Sequence, residues 1–110
     1  MARWPQSLVA ALGRWRLELL INREAMRIAR EIYPLLWENV RRKIAGASEK
    51  DLAAYAKVRA AQLSQERIDG RMLANPALPG AYATKLLVKA TDRALGLVLE
   101  AAADARRSAA

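Results

Sequence analysis

The sequence predicts an all-α protein, an antiparallel bundle of three long helices that is completed by oligomerisation. Alanine, leucine, arginine, glutamate and lysine make up more than half of the 110 residues, a bias typical of long helices and coiled coils. No stretch alternates apolar and polar residues, so we predict no strand. Breaks at Gly46 and at residues 75–80 delimit three helices, and short connections favour antiparallel neighbours. We expect one domain, residues 1–110, with a flexible lead-in at residues 1–6 and a flexible tail at residues 108–110.

The first helix is predicted over residues 7–45. Pro5 and Ser7 are start signals, because proline fits the first turn of a helix and serine caps it. Gly46 follows the predicted end, where glycine commonly closes a helix. Pro34 lies inside the segment and removes one backbone hydrogen bond. We expect a kink there rather than a break, because the apolar pattern resumes in phase beyond the proline.

The second and third helices are predicted over residues 49–73 and 81–107. Ser48 and Asp51 resemble a capping box at the start of the second helix. Residues 75–80 hold two prolines and a glycine, a composition typical of a loop between two helices.

Each of these two helices has an apolar stripe that we expect to be buried. Gln65 interrupts the stripe of the second helix, and the position of the loop places it near Thr91, a candidate hydrogen-bond partner that would fix the register of the two helices. In the second helix the stripe is Ala54, Val58, Ala61, Gln65, Ile68 and Met72, broadened by Leu52, Ala56 and Leu63. In the third helix it is Ala83, Leu87, Ala90, Ala94, Leu97 and Ala101.

Two separate faces of the first helix are apolar. On one of them, which we call the tryptophan face, a tryptophan or methionine recurs at a spacing of three helical turns. The tryptophan face is Trp4, Leu8, Ala11, Trp15, Leu19, Asn22, Met26, Ala29, Tyr33, Trp37, Val40 and Ile44. The second face, more than about 120° away on an ideal helix, is Leu17, Ile21, Ile28, Ile32 and Leu35. A helix that is apolar on two faces is expected to be buried on both.

The predicted length of the first helix, about 58 Å against roughly 40 Å for each of the others, leaves its N-terminal end uncovered. Exposed tryptophans there would form a large apolar patch. We therefore predict self-association, most simply as a homodimer, or packing on a partner protein. The alternative is a compact single-chain bundle with a sharply bent first helix. The residues predicted to associate are Trp4, Leu8, Leu12, Trp15, Leu19, Met26 and Trp37.

Arginines form a further surface on the first helix, between its two apolar faces. The chain has a formal net charge of +8 at pH 7, and a basic protein favours acidic partners. The arginine face is Arg16, Arg23, Arg27, Arg30 and Arg41, extended by Arg42 and Lys43. Its guanidinium groups could contact a phosphate backbone independently of sequence. The alternative is a solvated face that is partly neutralised by Glu31 and Glu38.

Enzymatic activity is not predicted. The chain has no histidine and no cysteine, which removes the usual proton shuttle, thiol chemistry and disulfides. Di-metal sites in helical bundles use a Glu-x-x-His motif, and the chain has no glycine-rich phosphate loop. We therefore expect no catalytic residue, metal, cofactor or small-molecule substrate.

The favoured function is a non-catalytic helical interaction or scaffold module, expected to be cytoplasmic and not transmembrane. The longest charge-free stretch, Met72 to Thr84, is too short to span a bilayer and holds two prolines. A first alternative is sequence-independent nucleic-acid binding by the arginine face. A second alternative is a peripheral membrane-surface adaptor, because the first 17 residues contain arginines and tryptophans but no acid.

Overall fold

A computed structural model describes residues 5–109, which form three helices that all pack against one another. Helix α1 spans Gln6–Arg41, α2 spans Glu49–Ala74 and α3 spans Gly80–Ala109. A short 3₁₀ turn, Ile44–Gly46, precedes α2. The all-α prediction is confirmed, since residues 5–109 contain no strand. None of these helices is long and apolar enough to cross a membrane.

Contacts between the helices define their directions. Late in α1, Asn39 accepts a hydrogen bond from Arg59 of α2. Earlier in α1, Glu24 accepts one from Arg71, which lies late in α2, so α1 and α2 are antiparallel. Arg106, near the end of α3, donates to the carbonyl oxygen of Ala47 at 3.0 Å. The ends of α1 and α3 therefore lie at the same end of the bundle, and α2 runs opposite to both.

The start of α1 differs from the prediction at its cap. Pro5, not Ser7, is the N-cap residue, and its carbonyl oxygen accepts from the backbone N–H groups of Leu8 and Val9 at 3.0 and 3.1 Å. Ser7 lies inside the first turn because the helix begins at Gln6. Proline suits this position, since its missing N–H would have no helical partner there.

The end of α1 also differs, because the helix stops at Arg41 rather than at residue 45. The N–H of Lys43 donates to Val40 at 2.9 Å, and that of Gly46 donates to Lys43 at 3.2 Å. These tighter i to i+3 bonds replace the α-helical pattern. Gly46 does not adopt a positive φ, so the predicted glycine cap of α1 is not formed.

Other local predictions agree more closely with the structure. Helix α1 continues through Pro34 without a break. The Ser48 hydroxyl accepts a hydrogen bond from the N–H of Asp51 at 3.1 Å and caps α2 as predicted. Helix α3 extends further than predicted and includes Ser108, a residue of the predicted tail.

The core of the bundle combines mainly branched side chains of α1 with alternating small and large side chains of the other two helices. Small residues on α2 and α3 let these helices approach α1 closely, and isoleucine fills the space between them. The buried apolar residues of α1 are Ile21, Ala25, Ile28, Ala29, Ile32, Leu36 and Val40. Those of α2 and α3 are Leu52, Ala56, Ala60, Leu63, Ile68, Leu86, Ala90, Ala94, Val98 and Ala102.

Most described members of the tryptophan face are therefore not buried within the single chain. Only Ala29 and Val40 of that face are buried, whereas the centre of the core comes from the second apolar face. Tyr33 and Trp37 are half-buried at the edge of the core. An aromatic ring with a polar atom is well suited to this edge, where one side is apolar and the other is wet.

The stripe predicted for α2 is also displaced. Gln65 is exposed, and its Nε2 donates to Asp69 at 2.7 Å, so it does not pair with Thr91. Its neighbour Ser64 is buried instead. Within residues 5–109 the hydroxyls of Ser64 and Thr91 have no hydrogen-bond partner. Two polar groups thus lie in the core, but they do not provide the predicted register contact.

The first part of α1 extends beyond the bundle. Every residue from position 5 to position 20 is exposed, and Ile21 is the first buried residue. Leu78 and Pro79 of the α2–α3 loop share a groove with Leu17 and Leu20, so the other two helices end near this level. We call residues 5–20 the N-terminal arm. It is about 24 Å long at about 1.5 Å per residue, close to the uncovered length predicted from the sequence.

Candidate interaction surface

The N-terminal arm carries most of the large exposed apolar side chains of the described chain. Their exposed fractions range from 39% for Leu8 to 59% for Trp15. Isolated exposed leucines are normal on a protein surface, but a concentration on one element indicates an interaction site. The exposed apolar residues of the arm are Leu8, Val9, Leu12, Trp15, Leu17, Leu19 and Leu20.

The arm is not built to lengthen the core of its own bundle. On an ideal helix, the side of the arm that continues the buried side of α1 holds Ser7, Ala11, Arg14 and Glu18. These residues are small or charged, so the apolar face that packs on α2 and α3 ends at Ile21. A second stripe, which we call the arm stripe, consists of Leu8, Leu12, Trp15 and Leu19. It lies about 110° around the helix from the core side, where α2 and α3 do not reach.

The residues predicted to associate fall into three groups in the structure. Trp4 lies outside the described residues. The arm stripe, with four of the predicted residues, is exposed throughout. Met26 and Trp37 lie further along α1 and are half-buried, and Trp37 packs against the core of its own chain. The exposed part of the predicted surface is thus concentrated on the arm, together with Val9, Leu17 and Leu20, which the prediction left out.

The arginine face is exposed on the side of α1 opposite the core, but its C-terminal part is occupied. Arg41 donates two hydrogen bonds to Glu38, both at 2.6 Å, and Arg42 donates one at 3.1 Å. The hydrogen bond from Arg41 is the main cause of the lowered pKa of Glu38, and it also raises the pKa of Arg41. Lys43 lies 4.6 Å from the centre of the Tyr55 ring. These three cations therefore have partners within the chain.

The remaining arginines of this face are more open. Within residues 5–109, Arg16, Arg23 and Arg30 form no ion pair, and Arg27 lies 3.5 Å from Glu24. Arg23, Arg27 and Arg30 line a shallow depression together with Met26 and the acidic residue Glu31. The arrangement could hold an anion against the solvent side of α1, with four arginines rather than the seven cations of the prediction.

An ion-pair cluster between α1 and α2 was not predicted from the sequence. Arg71 of α2 donates to Glu24 and, at 3.1 Å, to Glu31, which are separated by two turns of α1. Burial lowers the pKa of Arg71, but the two hydrogen bonds outweigh it and the net pKa is raised. The sequence suggests that Glu31 neutralises Arg27 of the arginine face. In the structure Glu31 pairs with Arg71 instead. Only the alignment of α1 against α2 brings these groups together.

Replacing Arg71 by alanine should lower the free energy of unfolding by about 1 kcal/mol at low salt, because two adjacent carboxylates would lose their shared partner. The matched control is Arg67→Ala, since Arg67 is exposed one turn earlier on α2. We expect the control to change stability by less than about 0.5 kcal/mol. Urea unfolding at low and high salt measures both effects, and screening should shrink the first one. Equal losses in the two variants would contradict the assignment.

The carboxylates of Glu24, Glu31 and Glu38 on α1 offer no separate binding site. Glu24 and Glu31 pair with Arg71, and Glu38 pairs with Arg41 and Arg42. Within residues 5–109 no group of three metal-ligating side chains comes together. The arm and the four open arginines are thus the main candidate surfaces, and both lie on α1. The chain matches no protein-family model, and comparisons with curated proteins and with solved structures find no significant match.

Proposed function

We propose that this chain is a non-catalytic helical interaction module that self-associates, as a homodimer, through its N-terminal arm. The observation that supports this proposal is the arm itself, on which residues 5–20 are exposed and seven large side chains are apolar. Apolar surface removed from water contributes about 25 cal/mol per Å² to association. The rest of the chain has its own core and holds the arm in place. A partner chain would add the free energy gained by burying the apolar side chains of the arm.

The distribution of charge favours a protein partner over a membrane surface. An interfacial helix normally has one apolar face and an opposite face rich in lysine and arginine. The arm has only Arg14, Arg16 and Glu18 as charged residues, and apolar side chains lie on more than one side of it. Such a helix is better covered by protein than by the headgroup region of a bilayer.

The oligomeric state tests the proposal directly. Light scattering after gel filtration should give about twice the chain mass of 12.2 kDa at micromolar concentration. A clean single-chain mass at high micromolar concentration would contradict the homodimer. Flotation of that monomer with anionic vesicles would then favour the membrane-surface alternative, and a co-purifying protein would favour a different partner.

A second candidate function is sequence-independent nucleic-acid binding by the open part of the arginine face. It is supported by the exposure of Arg16, Arg23, Arg27 and Arg30 opposite the core. Fluorescence anisotropy with a labelled duplex should then show an affinity that falls steeply with salt. Replacing Arg23, Arg27 and Arg30 together by glutamine should reduce the slope of log affinity against log salt by about 2 to 3. An absence of binding at about 50 mM salt would exclude this candidate.

The control for this experiment comes from the same helix. Arg41 and Arg42 are exposed but already bonded to Glu38, so the double glutamine variant should weaken binding much less. Equal weakening by the two sets of substitutions would indicate a response to net charge rather than a defined surface.

A further inference from the structure

The arm stripe continues onto the body of the bundle with a spacing that is informative about its partner. Leu8, Leu12, Trp15, Leu19, Asn22 and Met26 follow one another at alternating intervals of four and three residues. This spacing averages 3.5 residues and is the seam of a two-stranded coiled coil, in which each seam residue packs between four residues of the facing helix. We infer that the arm stripe pairs with the same stripe of a second copy, parallel and in register. The inference rests on the proposed function and adds the partner's identity and orientation.

The position of the seam leaves room for a second helix. Leu8, Leu12, Trp15 and Leu19 are exposed, and Met26 and Asn22 are half-buried where the seam reaches the body of the bundle. Over residues 8–19 a second helix could lie against the seam without displacing α2 or α3, because both end near Leu17. Further along α1, Leu97 of α3 lies beside the seam residue Met26. The seam is about 27 Å long at about 1.5 Å per residue, or more than two heptads.

Charges beside the seam select the parallel orientation. Glu18 immediately precedes the seam residue Leu19, and Arg23 immediately follows Asn22. In a parallel pair in register, these two flanking positions face each other across the interface. Glu18 would therefore meet Arg23 of the second copy, and symmetry would provide the contact twice. Neither residue forms an ion pair within residues 5–109, so both are available for it.

The antiparallel orientation would bring like charges together. In that arrangement each flanking position faces its own kind on the second helix. Arg16 and Arg23 occupy the same kind of position, one heptad apart, and would meet the same arginines of the second copy. Glu18 would approach its own equivalent. Charge complementarity on the two sides of the seam thus favours only the parallel pair.

Asn22 gives the parallel pair a defined register. It is the polar member of the seam and is half-buried already in the single chain. In a parallel pair in register, the two Asn22 amides face each other, and each can donate and accept a hydrogen bond. A shift by one heptad would place each amide against an apolar seam residue. A single polar seam residue is a known means of fixing alignment at some cost in stability.

Cross-linking of single-cysteine variants tests the orientation, since the chain has no cysteine of its own. Leu8→Cys and Asn22→Cys place a thiol at equivalent seam positions two heptads apart. In a parallel pair in register, each variant alone should form a disulfide-linked dimer in a glutathione buffer, with most of the chain cross-linked. Ala10→Cys is the control, because Ala10 lies on the side of the arm away from the seam and should remain reduced.

The possible results separate the inference from the proposed function. Cross-linking of Leu8→Cys and of Asn22→Cys, each alone, supports the parallel pair. Cross-linking only in a mixture of Leu8→Cys with Met26→Cys, which would face each other if the seams ran in opposite directions, would indicate an antiparallel pair and overturn the inference while leaving the homodimer intact. The absence of cross-links in a protein with the mass of two chains would also overturn it. A single-chain mass would instead overturn the proposed function itself.

Charge exchange provides a second test that introduces no thiol. Glu18→Arg should raise the dissociation constant of the dimer about tenfold, since two attractive contacts become repulsive. Adding Arg23→Glu to the same chain should restore the original value, because the parallel pair regains opposite charges. Failure of the double variant to recover would overturn the parallel assignment, since an antiparallel pair would keep like charges opposite each other.

Discussion

Replacing Ile32 by alanine should lower the free energy of unfolding by about 3 kcal/mol, the largest effect that we expect from a single truncation on stability. Ile32 is 1% exposed and lies in the middle of the buried side of α1. Removing three carbon atoms there leaves a cavity that rigid neighbouring helices fill only in part, so the loss exceeds the transfer free energy of the missing atoms. Urea unfolding of the two proteins measures the difference, and the slope of the free energy of unfolding against urea concentration should be the same in both.

Leu35→Ala is the matched control for this prediction. Leu35 belongs to the same predicted apolar face and to the same helix, but it is 49% exposed. Its truncation should cost less than about 1 kcal/mol. Both variants should be compared at one protein concentration, because association of the native chain raises its apparent stability. Similar losses at the two positions would mean that the core of α1 is not centred where the buried residues place it.

Replacing Leu19 by aspartate should weaken self-association by at least about 100-fold, because a parallel pair would bury two facing carboxylates in an apolar seam. Leu20→Asp should change the dissociation constant by less than about threefold. The two leucines are adjacent, and the substitutions alter charge and helix propensity equally. Sedimentation equilibrium over a range of concentrations measures both constants.

This pair of variants distinguishes a defined seam from general apolar adhesion. Leu20 is 57% exposed and Leu19 only 40%, so a mechanism driven by exposed area alone predicts the larger effect at Leu20. If Leu19→Asp weakens association more than Leu20→Asp does, the contact is determined by the position of the residue within the heptad and not by its exposure. The opposite order would exclude the coiled-coil seam while leaving the arm as the site of association.

Much of the fold could be predicted because it depends on local chemistry. The two breaks are marked by glycine and proline, and the Ser48 cap is encoded within four residues. The projection of the N-terminal arm could be predicted by comparing the lengths of the three predicted helices. The early end of α1 was missed because it depends on 3₁₀ hydrogen bonds made by Lys43 and Gly46, which leave no clear signal in the sequence.

The buried sides of the helices were less predictable because periodicity does not rank competing faces. The tryptophan face of α1 is longer and more regular, but the small residues of α2 and α3 fit isoleucine better than tryptophan. On α2 the buried stripe is displaced from the predicted one, since Ser64 is buried and its neighbour Gln65 is exposed. Which face packs inward depends on the shape of all three helices together.

The same difference between local pattern and tertiary contact applies to the candidate surface. The arm residues Leu8, Leu12, Trp15 and Leu19 were identified from their pattern and are exposed. The Arg71 cluster could not be found in this way, since its members are 40 or more residues apart in sequence. It also pairs Glu31 with Arg71 rather than with Arg27, which lies 3.5 Å from Glu24 instead.

The continuity of α1 from Gln6 to Arg41 has a mechanical consequence. One helix provides both the projecting arm and four of the large buried side chains of the core, Ile21, Ile28, Ile32 and Leu36, with no loop between them. Its core segment therefore sets the angle and distance at which the arm projects from the bundle. Pairing of the arms of two copies would then also fix the orientation of their two bundles. In a parallel pair the two bodies would lie side by side at one end, and the arginine faces of the two copies would lie on opposite sides of the pair, because Arg23 of each copy would face Glu18 of the other.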